Sequence, residues 1–179
     1  MRVRELAISA VVVVGAWASV GSGGSSSSST DTTSQGSDTP TTAAPADAHI
    51  GTAAADGKFT FTLHSVRCGI PSVGDTTYGL GETAQGQFCE VKLRVANTGT
   101  ESQDFMSSEQ KAFDSAGNQV DNNDMAEIAA GIDQNMFSGI NPGNAIETTL
   151  YYDIAKGRTI SKFEFHDSMF SDGVTVLNQ

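Results

Sequence analysis

The chain has 179 residues, which is room for one ordinary domain, and it carries a formal net charge of −11. Phosphate backbones and anionic lipid surfaces repel a protein this acidic. The composition therefore argues against nucleic-acid binding and against direct membrane binding by the domain. The 19 glycines and the charged fraction of only 17% favour strands and turns over helices.

Residues 1–18 have the three parts of a secretory signal peptide. Two arginines at the start precede an apolar run at 6–14, and Ala16 and Ala18 give the small-residue pattern that precedes cleavage. An uncleaved membrane anchor is the alternative, but the apolar stretch 6–20 is shorter than the roughly 20 residues of a spanning helix. We predict cleavage after Ala18 and a secreted or cell-surface protein.

Residues 19–57 consist almost entirely of Ser, Thr, Gly, Ala, Pro and Asp. Such a segment cannot bury enough apolar area to offset the entropy lost on ordering, so we predict a disordered N-terminal stalk, or linker. This composition suits a spacer that carries a domain away from a cell surface. We therefore place a single folded domain at 58–179.

Alternation of apolar and polar residues dominates after residue 58 and predicts half-buried strands of antiparallel sheets. The main apolar members are Phe59, Phe61 and Leu63; Val91, Leu93 and Val95; Ile146, Leu150, Tyr152 and Ile154; Phe163 and Phe165; and Val174 and Val176. About seven strands with regular turns indicate an all-β fold, an immunoglobulin-like antiparallel β-sandwich, with an eight-stranded barrel as the alternative. One short helix is expected at 124–130, with Asp124 and Glu127 spaced as a capping box and Gly131 as its stop.

The two cysteines, Cys68 and Cys89, both follow the predicted signal peptide and are expected to form one disulfide. The bond would join the end of one strand to the start of the next and close a 20-residue loop at 69–88. Two free thiols binding a metal are the alternative, but no histidine or further cysteine stands at ligand spacing. Loops this long are either mobile or functional. The favoured interpretation is a flexible surface loop whose Tyr78 lies against the sheet, and the alternative is an exposed Tyr78 that anchors a partner.

Catalytic and metal-binding patterns are weak in this sequence. His166, Asp167 and Ser168 stand together, but neighbours along a strand or turn point in different directions and do not form a triad by adjacency. The polar run at 121–124 with Glu127 resembles a calcium site in composition, yet it lacks the EF-hand spacing, and a polar turn that caps a helix accounts for it. We predict no enzyme activity, no catalytic residues, no metal site and no cofactor.

Four local patterns together resemble a known family. They are G-Q-F-C at 86–89 leading into V-K-L-R-V-A-N-T-G at 91–99, F-D-S-A-G-N at 113–118, N-P-G at 141–143, and F-H-D-S-M-F-S-D-G-V-T-V at 165–176. The chain is similar to a domain-of-unknown-function family of secreted proteins and lipoproteins from actinobacteria and other Gram-positive bacteria. That family is similar to the mycobacterial secreted immunoprotective antigen.

The resemblance implies an immunoglobulin-like sandwich, export and a cell-envelope setting. In this chain Cys68 and Cys89 match the paired cysteines of the family. Many members carry a lipid-modified cysteine just after the signal, where this chain has Val-Gly-Ser at 20–22. The resemblance assigns no catalytic or binding residues.

These observations lead to one functional hypothesis and one alternative. We expect a non-catalytic extracellular or cell-envelope recognition module whose partner is a protein or glycan at the cell surface, a role argued by analogy because a fold does not fix a function. The alternative is a carrier of a small ligand or metal ion, using a pocket between the sheets or the polar turn at 121–124.

Overall fold

The computed structural model describes residues 47–132 and 139–179. The predicted signal peptide at 1–18 and most of the predicted linker lie outside the described residues. Within the described ranges the chain forms nine strands, one α-helix and two short 3-10 helices. In chain order the strands are β1 (Ala48–His49), β2 (Ala53–Asp56), β3 (Phe59–Val73), β4 (Glu82–Asn97), β5 (Lys111–Asp114), β6 (Gln119–Asp121), β7 (Ala145–Ile154), β8 (Ile160–Phe165) and β9 (Val174–Leu177).

The strands form two sheets. The four-stranded sheet has the order β2-β3-β4-β7, and the five-stranded sheet has the order β1-β9-β8-β5-β6. Every pair is antiparallel except β1 and β9, which run parallel and make the five-stranded sheet mixed. The predicted all-β sandwich is confirmed, although the described residues contain nine strands where about seven were predicted.

The core lies between the two sheets and consists of the alternating residues that the sequence pattern selected. Phe61 of β3 stacks on Phe165 of β8 with ring centroids 5.4 Å apart, and Phe165 stacks on Phe163 at 5.5 Å. All three side chains are fully buried, as is Tyr152 of β7. Burial of side chains this large supplies much of the apolar stabilisation that holds the sheets together.

The folded domain begins earlier than the predicted boundary at Lys58. Strand β2 pairs with β3, with Ala54 opposite Phe61, and β1 pairs with β9. Ala48 and Ala54 are both buried in the core. The boundary was placed too late because these short strands contain alanine, whose small side chain gives a weak alternation signal.

The helical elements are short. Helix α1 spans Asp124–Ala129, and the 3-10 helices span Thr76–Tyr78 and Ser107–Glu109. No helix in the described ranges is long and apolar enough to cross a membrane.

Candidate functional site

The disulfide joins Cys68 of β3 to Cys89 of β4, as predicted. These strands are neighbours in the four-stranded sheet, and the bond lies where their register breaks, between the pairs Arg67↔Glu90 and Ile70↔Phe88. Beyond the break the strands pair again as far as Val73 and Glu82. The predicted 20-residue loop at 69–88 is therefore wrong. Residues 70–73 and 82–88 show weak alternation in the sequence, yet they extend the β3–β4 hairpin, because a bulge lets the two strands recover their pairing.

Only residues 74–81 remain as the connecting loop, and this loop is internally braced. Asp75 Oδ1 accepts a hydrogen bond from the Thr77 backbone N–H at 2.9 Å, which caps the 3-10 helix. The Leu80 N–H then donates to the Asp75 carbonyl oxygen at 3.0 Å, and Gly79 turns the chain with φ of +74°. These contacts brace the apolar tip of the loop.

Helix α1 packs on the outer face of the four-stranded sheet, where Ala126 contacts Phe88 and Tyr151. Its N-cap is Asn123, whose side-chain oxygen accepts from the Ala126 N–H at 2.9 Å. The predicted capping box at Asp124 and Glu127 is therefore wrong: the cap is one residue earlier than predicted and Asp124 is already helical, so Glu127 lies past the N3 position that a capping box requires.

The loop and the helix lie side by side. A Cβ atom added to Gly74 would stand 2.5 Å from the carbonyl oxygen of Ala129, the last residue of α1. Between them is a groove of about 460 Å³, lined by residues 79–82 together with Met125, Ile128, Ala129 and Gly131. We refer to it as the loop–helix groove.

Four large apolar side chains are exposed at this groove or beside it. Tyr78 is 80% exposed, Leu80 72%, Met125 60% and Ile128 51%. The favoured prediction that Tyr78 lies against the sheet is therefore wrong, and the alternative of an exposed Tyr78 is observed. The other three residues were not selected from the sequence. Met125 and Ile128 stand three residues apart and so share one helix face, which was the available signal.

Beneath the groove, α1 turns the carboxyl group of Glu127 into the protein. The residue is only 1% exposed, and Oε1 accepts from Asn122 Nδ2 at 2.6 Å. Burial raises the pKa of Glu127 to about 7; the hydrogen bonds from Asn122 and Ser107 lower it less than burial raises it. The sequence did not reveal this burial, because glutamate at a helix start is usually exposed.

The polar turn at 121–124 uses its side chains within the fold. Asp121 accepts a hydrogen bond from Gln119, Asn122 donates to Glu127, and Asn123 caps α1. Within residues 47–132 and 139–179, no three or more His, Cys, Asp or Glu side chains are grouped as metal ligands would be. The run at 121–124 is therefore a polar turn that caps a helix, as predicted.

The neighbouring trio at 166–168 is not brought together. His166 Nδ1 lies 3.3 Å from the carbonyl oxygen and 3.4 Å from the hydroxyl oxygen of Ser171. Asp167 instead accepts the Lys58 backbone N–H at 3.0 Å. The loop that holds the trio also exposes two apolar side chains at its tip: Met169 is 66% exposed and Phe170 89%.

Residues 48–175 match the model of a family described as a domain of unknown function (DUF4352). The chain belongs to that family. This confirms the predicted resemblance to a domain-of-unknown-function family. No curated protein matches the chain.

Two solved structures share the sandwich of this DUF4352 domain. The yjhA protein from Bacillus subtilis has a TM-score of 0.54 and 13% identity, covering 74% of this chain and 99% of that one. The secreted protein MPT63 from Mycobacterium tuberculosis has a TM-score of 0.54 and 15% identity, covering 76% of this chain and 98% of that one. At such identities the likeness shows a common fold and nothing finer.

The contact between loop and helix in the DUF4352 domain gives a first testable prediction. Gly74 and Gly79 both have φ of +74°, but a Cβ at Gly79 would meet nothing within 4 Å. Gly79→Ala is expected to cost only the left-handed backbone penalty, roughly 1–2 kcal/mol of unfolding free energy. Gly74→Ala should cost clearly more and increase amide hydrogen exchange in 74–81, because the new methyl meets the backbone of Ala129 and, within the loop, the carbonyl oxygen of Leu80. If Gly74→Ala and Gly79→Ala had equal effects on denaturant unfolding and on hydrogen exchange, the close approach at Gly74 would be contradicted.

Proposed function

We propose that the chain is a non-catalytic recognition module that acts outside the cell and binds another protein through the loop–helix groove. The observation that carries the proposal is the exposure of Tyr78, Leu80, Met125 and Ile128 on adjoining elements. Exposed apolar side chains gathered around a concavity are typical of interaction sites. A braced loop and a packed helix hold them in place, so binding needs little further ordering.

The chemistry of the groove favours a protein partner over a glycan. Leu80, Met125 and Ile128 offer aliphatic and thioether surface, which gains most from burying apolar side chains. Methionine also adapts its shape to a partner, and tyrosine is enriched among the residues that dominate binding energy. A glycan would instead need several convergent polar groups.

The extracellular setting is supported by three features. The sequence pattern at 1–18 is that of a signal peptide, Cys68 and Cys89 form a disulfide, and the MPT63 protein with a similar fold is described as secreted. Disulfides persist mainly in oxidising compartments. The non-catalytic role is supported by the partners of two residues of the trio: Asp167 accepts the Lys58 backbone N–H, and His166 lies against Ser171.

Site-specific photo-crosslinking on intact cells tests the proposal. Purified protein with a photo-reactive amino acid in place of Leu80 is added to the producing cells from outside and irradiated. We expect a discrete adduct, because a partner seated in the groove lies in contact with position 80. Protease digestion of the adduct then separates a protein partner from a glycan.

Matched positions provide the controls. The same photo-reactive residue in place of exposed Lys92 should give no such adduct, and unlabelled wild-type protein should compete at position 80 while Leu80→Asp protein should not. The proposal is contradicted if positions 80 and 92 behave alike, if neither forms an adduct, or if only the exposed tip at Phe170 does.

A further inference from the structure

We infer that the partner of the loop–helix groove is a protein segment presenting a bulky apolar side chain flanked by lysine or arginine. This inference rests on the proposed function and specifies the chemistry of the partner. It follows from the distribution of charge around the apolar centre of the groove.

The two segments that build the groove carry charge of one sign. Residues 74–84 and 121–132 contain five acidic residues, Asp75, Glu82, Asp121, Asp124 and Glu127, and neither lysine nor arginine. Asp75 and Asp124 are exposed, and Glu82 lines the groove itself. These three carboxylates beside an apolar centre attract a partner of complementary charge and disfavour an acidic one, whereas the buried Glu127 adds no charge to the rim.

The cations on this face of the sheet lie outside the two segments: exposed Lys92 stands four residues beyond Phe88 along β4. Arg67 lies on the same outer face, but its guanidinium is 2.9 Å from Glu90 Oε2, and Glu90 in turn accepts from the Tyr151 hydroxyl. The arginine is thus already paired with a carboxylate. The groove rim therefore keeps its negative potential.

The same charge argues against two other occupants. A second copy of this chain would bring an equally acidic rim against the first, and each copy carries a net charge of −11. Like charges brought together at an interface cost free energy, which disfavours self-association through this surface. An anionic membrane is repelled for the same reason.

Selection from a displayed library of random 12-residue peptides tests the partner chemistry. Selection is run in parallel on the wild-type protein, on Leu80→Asp, and on the double variant Glu82→Lys/Asp124→Lys. Wild-type protein should enrich peptides that combine a bulky apolar residue with net positive charge. Leu80→Asp should lose that enrichment, and the double variant should shift the selected charge towards negative.

The affinity of one selected peptide then measures how much the acidic side chains contribute to binding. Its Kd should rise about tenfold or more in Glu82→Gln/Asp124→Asn protein and should also rise with salt, because rim charges are screened. The variant Glu101→Gln, at an exposed acid outside these two segments, should leave the Kd unchanged. A charge-independent Kd would overturn the inference.

The outcomes separate the inference from the proposed function. Peptides that are apolar, depend on Leu80 and show no basic bias would overturn the partner chemistry and leave the recognition role intact. If the wild-type protein enriches no peptides beyond those that Leu80→Asp also enriches, both the partner chemistry and the recognition role of the groove are overturned. Self-association of the wild-type protein that Leu80→Asp abolishes, measured by analytical ultracentrifugation, would show that the occupant is a second copy and would also overturn the inference.

Discussion

Replacing Glu127 by Gln is expected to raise the free energy of unfolding by about 3 kcal/mol at pH 8 and to leave it nearly unchanged at pH 4. Burial raises the pKa of this carboxyl group from 4.5 to about 7. Between pH 4.5 and about pH 7 the carboxyl group of Glu127 keeps its proton in the folded protein, whereas in the unfolded chain it has lost it. Stability therefore falls as the pH rises through this window, and the loss is complete above pH 7.

Gln removes this loss because it stays neutral and keeps an oxygen that accepts from Asn122 Nδ2. Denaturant unfolding of wild type and variant at several pH values measures the effect. The control is Glu101→Gln, which removes an exposed carboxylate and should shift the curve little at any pH. A difference between Glu127→Gln and wild type that does not change with pH, or a variant that is less stable at pH 8, would show that the carboxyl group is not held in its neutral form.

Removing the disulfide by the double substitution Cys68→Ala/Cys89→Ala is expected to lower the free energy of unfolding by about 3 kcal/mol. The two residues are 21 positions apart, and the bond restricts that length of chain in the unfolded state. Alanine is chosen because Cys89 is fully buried in the core, where serine would place a hydroxyl among apolar groups. Denaturant unfolding measures the change in stability.

Hydrogen exchange locates the effect of the same double variant. The bond lies at the register break between β3 and β4, so its loss should loosen the part of the hairpin beyond the break, near Ile70 and Val73. Amides of Val91 and Leu93, on the other side of the bond, are the internal control and should stay protected until global unfolding. Unchanged stability with unchanged exchange near Ile70 would show that pairing beyond the break does not depend on the bond.

The sequence alone determined the sandwich and most of its core. Phe61, Leu93 and Phe163 alternate with polar neighbours, and a period of two places one face of each strand inside whatever sheet forms. The pairing of Cys68 with Cys89 also followed, since a chain that has only two cysteines and is predicted to be exported has one way to join them within itself. The first feature depends on the local pattern of residues, and the second on the number of cysteines.

The tertiary structure decided the groove and the burial of Glu127. Gly74 and Ala129 are distant in sequence, and they meet because the β3–β4 hairpin recovers its pairing after the break and because α1 packs on Phe88 and Tyr151. Alternation describes which face of an element is apolar, but it carries no information about which two elements become neighbours. Leu80 and Ile128 were therefore not selected from the sequence, and only their shared position around one concavity supports the role proposed for them.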